Sequence, residues 1–279
     1  MISNHGILIK KSSGEEEIYS EEKLLNSLRR AGASSSVISS ILDHIRKELK
    51  TGMTSMEIYN HAFSLLKKAE RRSALRYNLR RALMELGPSG HPFESLIGSV
   101  METKGYAVKV ATTVKGFCVN HEVDVLASKD NILRIIEAKY HNTLGVKSDV
   151  KVILYVHSRF TDIERESKKG GSLIKHEPWI ITNTKFTSDA IKYGECSKIN
   201  LVGWNYTHDG NLQDLIEESG LHPISSLLSL SRAQKNFFLQ KGIVLCRDLE
   251  NEPALLKSLG ISFSKSDSIL REIRMLLGQ

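Results

Sequence analysis

Two runs of sequence decide the fold: His121-Glu122-Val123-Asp124-Val125-Leu126-Ala127, and shortly after it Leu133-Arg134-Ile135-Ile136-Glu137-Ala138-Lys139. Side chains of a β-strand point alternately to its two faces. The first run is therefore expected to place Glu122, Asp124 and Leu126 on one face, and Val123 and Val125 on the other. The second run ends with Glu137 and Lys139 on one side of a small alanine. A turn at residues 128–131 would make the two strands neighbours and bring Asp124 close to Glu137.

This pair of carboxylates predicts a site for a divalent cation. Magnesium prefers hard oxygen ligands and keeps several waters, so two carboxylates, a backbone carbonyl and a phosphate oxygen can complete its shell. We therefore expect Asp124 and Glu137 to bind Mg²⁺ or Mn²⁺, and Lys139 to orient the attacking water or to offset charge in the transition state. An aspartate and an E-x-K sequence on strands are also compatible with a surface ion-pair ladder.

The surrounding pattern predicts a mixed α/β sheet flanked by helices, because strand-like runs alternate with helical periodicity after an antiparallel meander. The predicted helices are 93–104, 147–168 and 187–195, and the predicted strands are 105–112, 117–127, 131–138, 179–182 and 199–204.

The flanks differ from this centre. A short hairpin is predicted over 6–19, followed by helices at about 21–31, where Ser20 is the predicted cap, and at 36–49, 54–69 and 73–87. Four chain breakers within 87–92 mark a boundary, and no convincing strand follows Asn205. The predicted segments are therefore 1–88, mainly helical; 89–206, the α/β centre; and 207–279, a small all-α tail.

The charge distribution favours a polyanionic partner. The net charge is +7, with +5 in residues 1–88, +3 in 89–206 and −1 in 207–279. The sequence has neither a transmembrane-length apolar run nor a signal peptide, so we expect a cytoplasmic protein without a membrane partner. The three cysteines, Cys118, Cys196 and Cys246, are odd in number and far apart, which predicts buried thiols rather than disulfides or a zinc site.

The centre closely resembles the PD-(D/E)xK nuclease superfamily, and within it the Mrr-type (type IV) restriction endonucleases, over about residues 90–206. The resemblance extends to the sheet sequences Gly105-Tyr106-Ala107-Val108 and Leu201-Val202-Gly203-Trp204. It implies a restriction-endonuclease-like fold in which Glu94 orients the metal, Asp124 and Glu137 bind it and Lys139 is the catalytic cation. Val123-Asp124 replaces the usual Pro-Asp. In place of the frequent Gln-x-x-x-Tyr the chain has Lys151 to Tyr155, so only the tyrosine matches.

That resemblance implies a metal-dependent DNA endonuclease acting in restriction or defence. A branched-DNA or repair nuclease is the alternative within the same chemistry. A non-catalytic, ATP-responsive DNA-binding regulator is the alternative from another class, because nuclease folds can persist as binding platforms.

The first segment resembles an ATP-cone, a small regulatory nucleotide-binding domain, over about residues 5–87. The similarity lies in the first hairpin with its Lys11-Ser12-Ser13-Gly14 turn, in Tyr19 to Leu24, and in Tyr77 to Arg81. It implies that Lys10, Lys11 and Lys23 contact the triphosphate of ATP or dATP, since cationic side chains and a helix N-terminus favour anions. The basic helix faces are equally compatible with plain solvation.

The tail contains two stretches, 237–244 and 255–262, that resemble helix-hairpin-helix units, whose turn amides hold a DNA phosphate. Both lack the motif's usual second glycine. A helical scaffold or a homodimerisation element therefore remains an equal alternative for this segment.

Overall fold

The computed structural model describes residues 6–12 and 14–278. It opens with the predicted hairpin, in which β1 (Leu8–Lys10) pairs antiparallel with β2 (Glu16–Ile18). Ser13, in the predicted turn, lies outside the described residues. The hairpin predicted at the start of the first segment is thus present.

Helices α1 (Glu21–Arg30), α2 (Ser35–Glu48) and α3 (Ser55–Ala69) follow the hairpin. Ser20 caps α1 as predicted, because its side chain accepts a hydrogen bond from the Lys23 amide. The predicted helix 73–87 is two helices, α4 (Arg71–Tyr77) and α5 (Leu79–Met84). They part at Asn78, a poor helix former, whose side chain accepts a hydrogen bond from the Tyr59 hydroxyl.

The α/β centre begins with α6 (His91–Thr103), followed by the strands β3 (Ala107–Lys115), β4 (Asn120–Lys129) and β5 (Ile132–Lys139). After the short β6 (Lys147–Ser148) come α7 (Val150–Lys169), β7 (Lys175–Thr182), β8 (Lys185–Phe186), α8 (Ser188–Cys196) and β9 (Asn200–Val202). The predicted order of strands and helices is therefore confirmed, with two additional short strands.

The main sheet is mixed, with the strand order β3-β4-β5-β7-β9. β3, β4 and β5 form the predicted antiparallel meander, whereas β7 pairs parallel with β5 and β9 parallel with β7. β6 and β8 form a separate two-stranded parallel ladder. The turn between β4 and β5 is only Asp130-Asn131, with Asp130 at a left-handed φ of 51°.

Helix α6 packs closely on one face of this sheet. A Cβ on Gly98 would lie 2.8 Å from Cγ2 of Val110, so the approach depends on the missing side chain. Phe93, Leu96 and Ile97 are fully buried on the same helix. This packing fixes the first turn of α6, which carries Glu94, against the sheet.

The predicted faces of β4 need one correction. Val123 packs with Ile135 and with Ile163 of α7, whereas Val125 joins the large core cluster on the α6 side. The two valines therefore lie on opposite faces. The pairing of β3 with β4 skips Asp124 and the residue opposite it, Ala111, which has a φ of 48°. This irregularity breaks the alternation next to Asp124.

The tail is helical, as predicted, and no named strand occurs in its described part, 207–278. It contains α9 (Leu212–Ser219), a 3₁₀ turn (Ile224–Ser226), α10 (Arg232–Gln240), α11 (Cys246–Asn251), α12 (Ala254–Ser258) and α13 (Phe263–Leu277).

The segments share a core. The largest cluster of buried apolar residues combines α5, α6, the sheet and the tail, while a second cluster lies within the first segment. One buried carboxylate adds a polar contact between the outer segments: Glu272 of α13 is 1% exposed and accepts from Arg71 of α4. The three-segment division remains a prediction, but the segments are in extensive contact.

The thiol prediction is wrong for two of the three cysteines. Cys246 is buried, whereas Cys118 and Cys196 are exposed. Cys118 lies in the turn between β3 and β4, and Cys196 at the end of α8, so neither faces a core. Within residues 6–12 and 14–278, no helix is long and apolar enough to cross a membrane.

Candidate functional site

The structure brings Asp124 and Glu137 together at one end of the β4–β5 pair. The ladder between these strands ends at Val125 and Ile136, and Asp124 and Glu137 are the next residues on each strand. The backbone amide of Ala138 donates to Oδ2 of Asp124 at 2.8 Å. The predicted convergence of the two carboxylates is therefore present in the fold.

Glu94 completes an acidic group at this edge. Burial raises the pKa of Asp124 to about 6, and the negative charges of Glu137 and Glu94 add to the shift. The amide of Ala138 opposes it by stabilising the carboxylate. His91 holds Glu94 in place, with Nδ1 3.1 Å from Oε2. Ionised carboxylates at close range repel one another, so the arrangement favours a cation.

An arginine from α7 reaches the same carboxylates. Nη1 of Arg159 donates to Oε2 of Glu137 at 2.6 Å, and Nη2 donates to the Tyr155 hydroxyl, also at 2.6 Å. The guanidinium lies 4.6 Å from the centroid of the Tyr155 ring. Glu137 is thus already paired with a cation supplied by the protein.

Lys139 lies at the end of β5, and its side-chain ammonium forms no hydrogen bond or ion pair with any residue in 6–12 or 14–278. The chain beyond it is tightly held, because the amide of His141 donates to Asn183 Oδ1 at 2.9 Å and the amide of Asn183 donates back to the His141 carbonyl at 2.7 Å. Burial lowers the pKa of His141, and the positive charge of Lys139 lowers it further. The ammonium of Lys139 is thus near this edge and available to a ligand.

The donor set fits a weakly held Mg²⁺ rather than a fully protein-bound metal. Among the described residues no group of three or more histidine, cysteine, aspartate or glutamate side chains is arranged to hold a metal ion. Magnesium is commonly bound by one or two carboxylates with water and substrate phosphate in the remaining positions, which Asp124 and Glu137 can supply. A metal ion at Oε2 of Glu137 would compete with Arg159 for that oxygen.

The predicted nucleotide contacts are partly occupied by acids. Nζ of Lys11 lies 3.4 Å from Oε2 of Glu17, and Nζ of Lys23 lies 2.8 Å from the same oxygen. Lys11 also pairs with Glu15, which raises the pKa of Lys11. Lys10 is exposed on β1 and has no ion pair within the described chain. The structure therefore joins Lys11 and Lys23 through Glu17 and leaves Lys10 apart.

The turn amides of the tail are engaged in their own helices. The amides of Gly242 and Ile243 donate to the carbonyls of Leu239 and Phe238, both at 3.0 Å. The amide of Gly260 donates to the Lys257 carbonyl at 2.9 Å in the same way. These groups are the ones a helix-hairpin-helix would offer to a phosphate, and here they close helix C-termini.

Sequence reasoning missed two polar contacts near the sheet. Arg159 is one; its spacing of four residues from Tyr155 on a helix was the available signal. The other is Asp162, whose Oδ2 lies 2.8 Å from Nε2 of His121 and which accepts from the Cys118 amide at 2.9 Å. The His121 interaction and these turn contacts lower the pKa of Asp162 to about 2. No local pattern marked this long-range pair.

Fold and site together define a mixed α/β protein with a five-stranded mixed sheet, many helices and an acidic edge beside a lysine. Comparison with known proteins gives the family. A model of the AF1548-like C-terminal domain matches residues 222–277. An "uncharacterized protein" of Archaeoglobus fulgidus is 33% identical over 180 residues, which are 64% of this chain and 98% of the relative.

A solved structure is also similar, the crystal structure of a protein of unknown function named AF1548. It is 31% identical, with a TM-score of 0.55, over 68% of this chain and 99% of the other. The chain belongs to the AF1548-like family.

Proposed function

We propose that this protein is a metal-dependent DNA endonuclease of the PD-(D/E)xK type, similar to the Mrr-type restriction enzymes. The observation that carries the proposal is the meeting of Asp124 and Glu137 where the β4–β5 ladder ends, with Lys139 two residues after Glu137 on the same strand. The helix α6 before the meander and the parallel crossover through α7 after it support the same interpretation. A DNA substrate of this kind also favours a cytoplasmic location.

In this proposal each residue has one role. Asp124 and Glu137 hold Mg²⁺ or Mn²⁺, and Glu94, held by His91, orients that site through its negative charge. A bound divalent ion supplies charge stabilisation to the scissile phosphate and acidifies a water. The ammonium of Lys139 has no protein partner in the described chain, and it orients the nucleophilic water or offsets developing charge.

The proposed biological role is restriction or defence against foreign or modified DNA, with branched-DNA or repair cleavage as the alternative. The test is incubation of the purified protein with plasmids from methylating and non-methylating hosts and with synthetic four-way junctions, with and without Mg²⁺ or Mn²⁺. Cleavage confined to modified plasmid supports restriction, and cleavage confined to junctions supports repair. If every DNA substrate remains intact under every metal condition, the proposed nuclease function is contradicted.

One observation favours a second function, a non-catalytic and ATP-responsive DNA-binding regulator. The 2.6 Å ion pair of Arg159 with Glu137 occupies a carboxylate that catalysis needs for metal. The discriminating variant is Asp124→Ala. Loss of cleavage with nearly unaltered DNA affinity supports the enzyme, whereas a wild type that binds DNA without cutting it supports the regulator.

We further propose that the first segment binds ATP or dATP through Lys10, Lys11 and Lys23, and that this binding controls DNA cleavage by the α/β segment. Such control requires the nucleotide to prefer one arrangement of the segments, by about 1–3 kcal/mol for a typical coupling. Calorimetric titration of the wild type and of Lys10→Ala/Lys11→Ala with ATP tests the site. Cleavage rates with and without a non-hydrolysable analogue test the coupling. If the wild type shows no binding heat and no thermal shift at millimolar ATP, the proposed nucleotide site is contradicted.

A further inference from the structure

Two lysines stand directly opposite each other beside the part of the sheet that carries Asp124 and Glu137, which we call the catalytic edge because of the proposed function. Lys147 of β6 and Lys185 of β8 are partners in the parallel ladder, and both are exposed. The next pair, Ser148 and Phe186, is buried, so the lysines project outward from the ladder. Like charges directly opposite on a sheet are destabilising. Neither lysine has an ion pair within residues 6–12 and 14–278.

A third cation without a partner approaches from the first segment. Nε of Arg80 on α5 is buried and has no hydrogen-bond partner among the described residues. Its side chain also forms no ion pair there. A partly buried guanidinium without an acid carries a desolvation cost that nothing in the described chain offsets.

Lys185 lies within electrostatic reach of Arg80, of Lys147 and of Lys23. Although the side chain of Lys185 is exposed, partial desolvation by the neighbouring protein lowers its pKa, and the positive charges of Arg80, Lys23 and Lys147 lower it further. Glu17 is the acid that acts in the opposite direction, but it is already paired with Lys23 at 2.8 Å. The positive charge at this place is therefore incompletely compensated.

This basic group is attached to the catalytic edge by hydrogen bonds. Ser148, next to Lys147, lies 3.1 Å from Nε2 of His141 and donates to the buried Thr182 at 3.4 Å. Thr182 is the strand partner of Lys139 at the end of β5. On the other side, the Tyr140 hydroxyl donates to the Met84 carbonyl at the end of α5 at 2.8 Å. The loops after β5 and β7, and α5, thus meet at one edge.

We propose that Arg80, Lys147 and Lys185 bind the phosphate backbone of duplex DNA where it continues from the catalytic edge toward the first segment. This inference rests on the proposed nuclease function, since DNA is then the ligand of the neighbouring edge. The two exposed lysines on an open ladder suit a polyanionic backbone, and backbone contacts position a duplex without reading its sequence. A bound phosphate also removes the repulsion between Lys147 and Lys185.

The test measures binding rather than cleavage. Anisotropy of a fluorescein-labelled duplex is recorded over a range of salt concentrations in EDTA, with the full-length wild type, Lys147→Ala/Lys185→Ala and Arg80→Gln. Each lost phosphate contact reduces the slope of log K against log salt by about 0.9, so the double variant should lose about 1.8 and bind about tenfold more weakly at low salt. Lys47→Ala/Lys257→Ala is the matched control, because both lysines are exposed and unpaired within the described chain, and should leave the slope unchanged.

Folding is checked by thermal unfolding without DNA, in which removal of the opposed lysines should leave the Tm unchanged or slightly raised. An unaltered salt slope in a folded double variant overturns the inference, even if the protein cleaves DNA. If the salt slope falls as predicted but the wild type never cleaves DNA, the DNA-backbone contact is supported and the proposed nuclease function is contradicted. Titration of the same variants with ATP tests whether the phosphate belongs to a nucleotide instead. If a variant loses ATP binding but keeps the salt slope for DNA, the cations bind a nucleotide and the proposal is overturned.

Discussion

Glu272 offers the sharpest test of how the segments are held together. Its carboxylate is 1% exposed and accepts from the amides of Leu228 at 2.8 Å and Ser229 at 3.0 Å, from the Ser229 hydroxyl at 2.9 Å and from Nε of Arg71 at 2.9 Å. Because the acceptor in each case is a charged carboxylate, these hydrogen bonds belong to the stronger class, which contributes about 1.5–3 kcal/mol each in general. Removal of one member of a buried ion pair costs about 3–5 kcal/mol in general. We therefore expect Glu272→Ala to lower the free energy of unfolding by about 3–5 kcal/mol.

Glu272→Gln should cost about half as much, because the amide oxygen still accepts from the two backbone amides. The matched control is Arg271→Ala, at the residue next to Glu272. It removes an exposed ion pair with Asp267 and should cost less than about 1 kcal/mol. The assay is urea unfolding followed by circular dichroism. A Glu272→Ala protein within about 0.5 kcal/mol of the wild type would refute the burial argument, since exposed pairs have effects of that size.

Three further outcomes are expected. Asp124→Asn keeps the acceptor for the Ala138 amide and should stabilise the fold at pH 8 by about 1–2 kcal/mol. The pKa of Asp124 is about 6 in the folded protein and lower in the unfolded chain, so its ionisation destabilises the fold at high pH. Thermal unfolding should show that the difference between the two proteins vanishes below about pH 4. Gly116→Ala places a Cβ 2.5 Å from the backbone oxygen of Val119 and also against the Asp162 carboxylate. It should lower the Tm by several degrees, which calorimetry would show, whereas an unchanged Tm would contradict the close contact. Arg159→Gln frees Glu137 and should tighten Mn²⁺ binding in calorimetry, and weaker binding would mean that the arginine assists the metal site.

Much of the centre could be predicted because its signals are local. The strands alternate polar and apolar residues, and the meeting of Asp124 with Glu137 follows from a short turn between consecutive strands. What could not be predicted depends on neighbours distant in sequence. Val123 changes face through an irregularity opposite Ala111 on another strand, and Glu137 meets Arg159 only once α7 has packed on the sheet.

The segment boundaries also depend on neighbours that are distant in sequence. The breakers at 87–92 predicted a seam, and a loop does lie there, but the apolar faces of α5 and the tail are continuous with the central core. Continuity of that kind is a property of tertiary packing rather than of any single helix. The ion pairs of Lys11 and Lys23 with Glu17 likewise require the hairpin and α1 to be assembled.

The most direct test of the central claim is the rate of plasmid nicking by the wild type and by Asp124→Asn as a function of Mn²⁺ concentration. We predict metal-dependent nicking by the wild type and a rate at least about a hundredfold lower for Asp124→Asn, in a protein that remains folded and binds DNA equally well. Glu122→Gln, which changes an exposed acid two residues away on β4, should retain the wild-type rate. Equal nicking by the wild type and Asp124→Asn, or nicking that persists in EDTA, would contradict the assignment of Asp124 as a metal ligand.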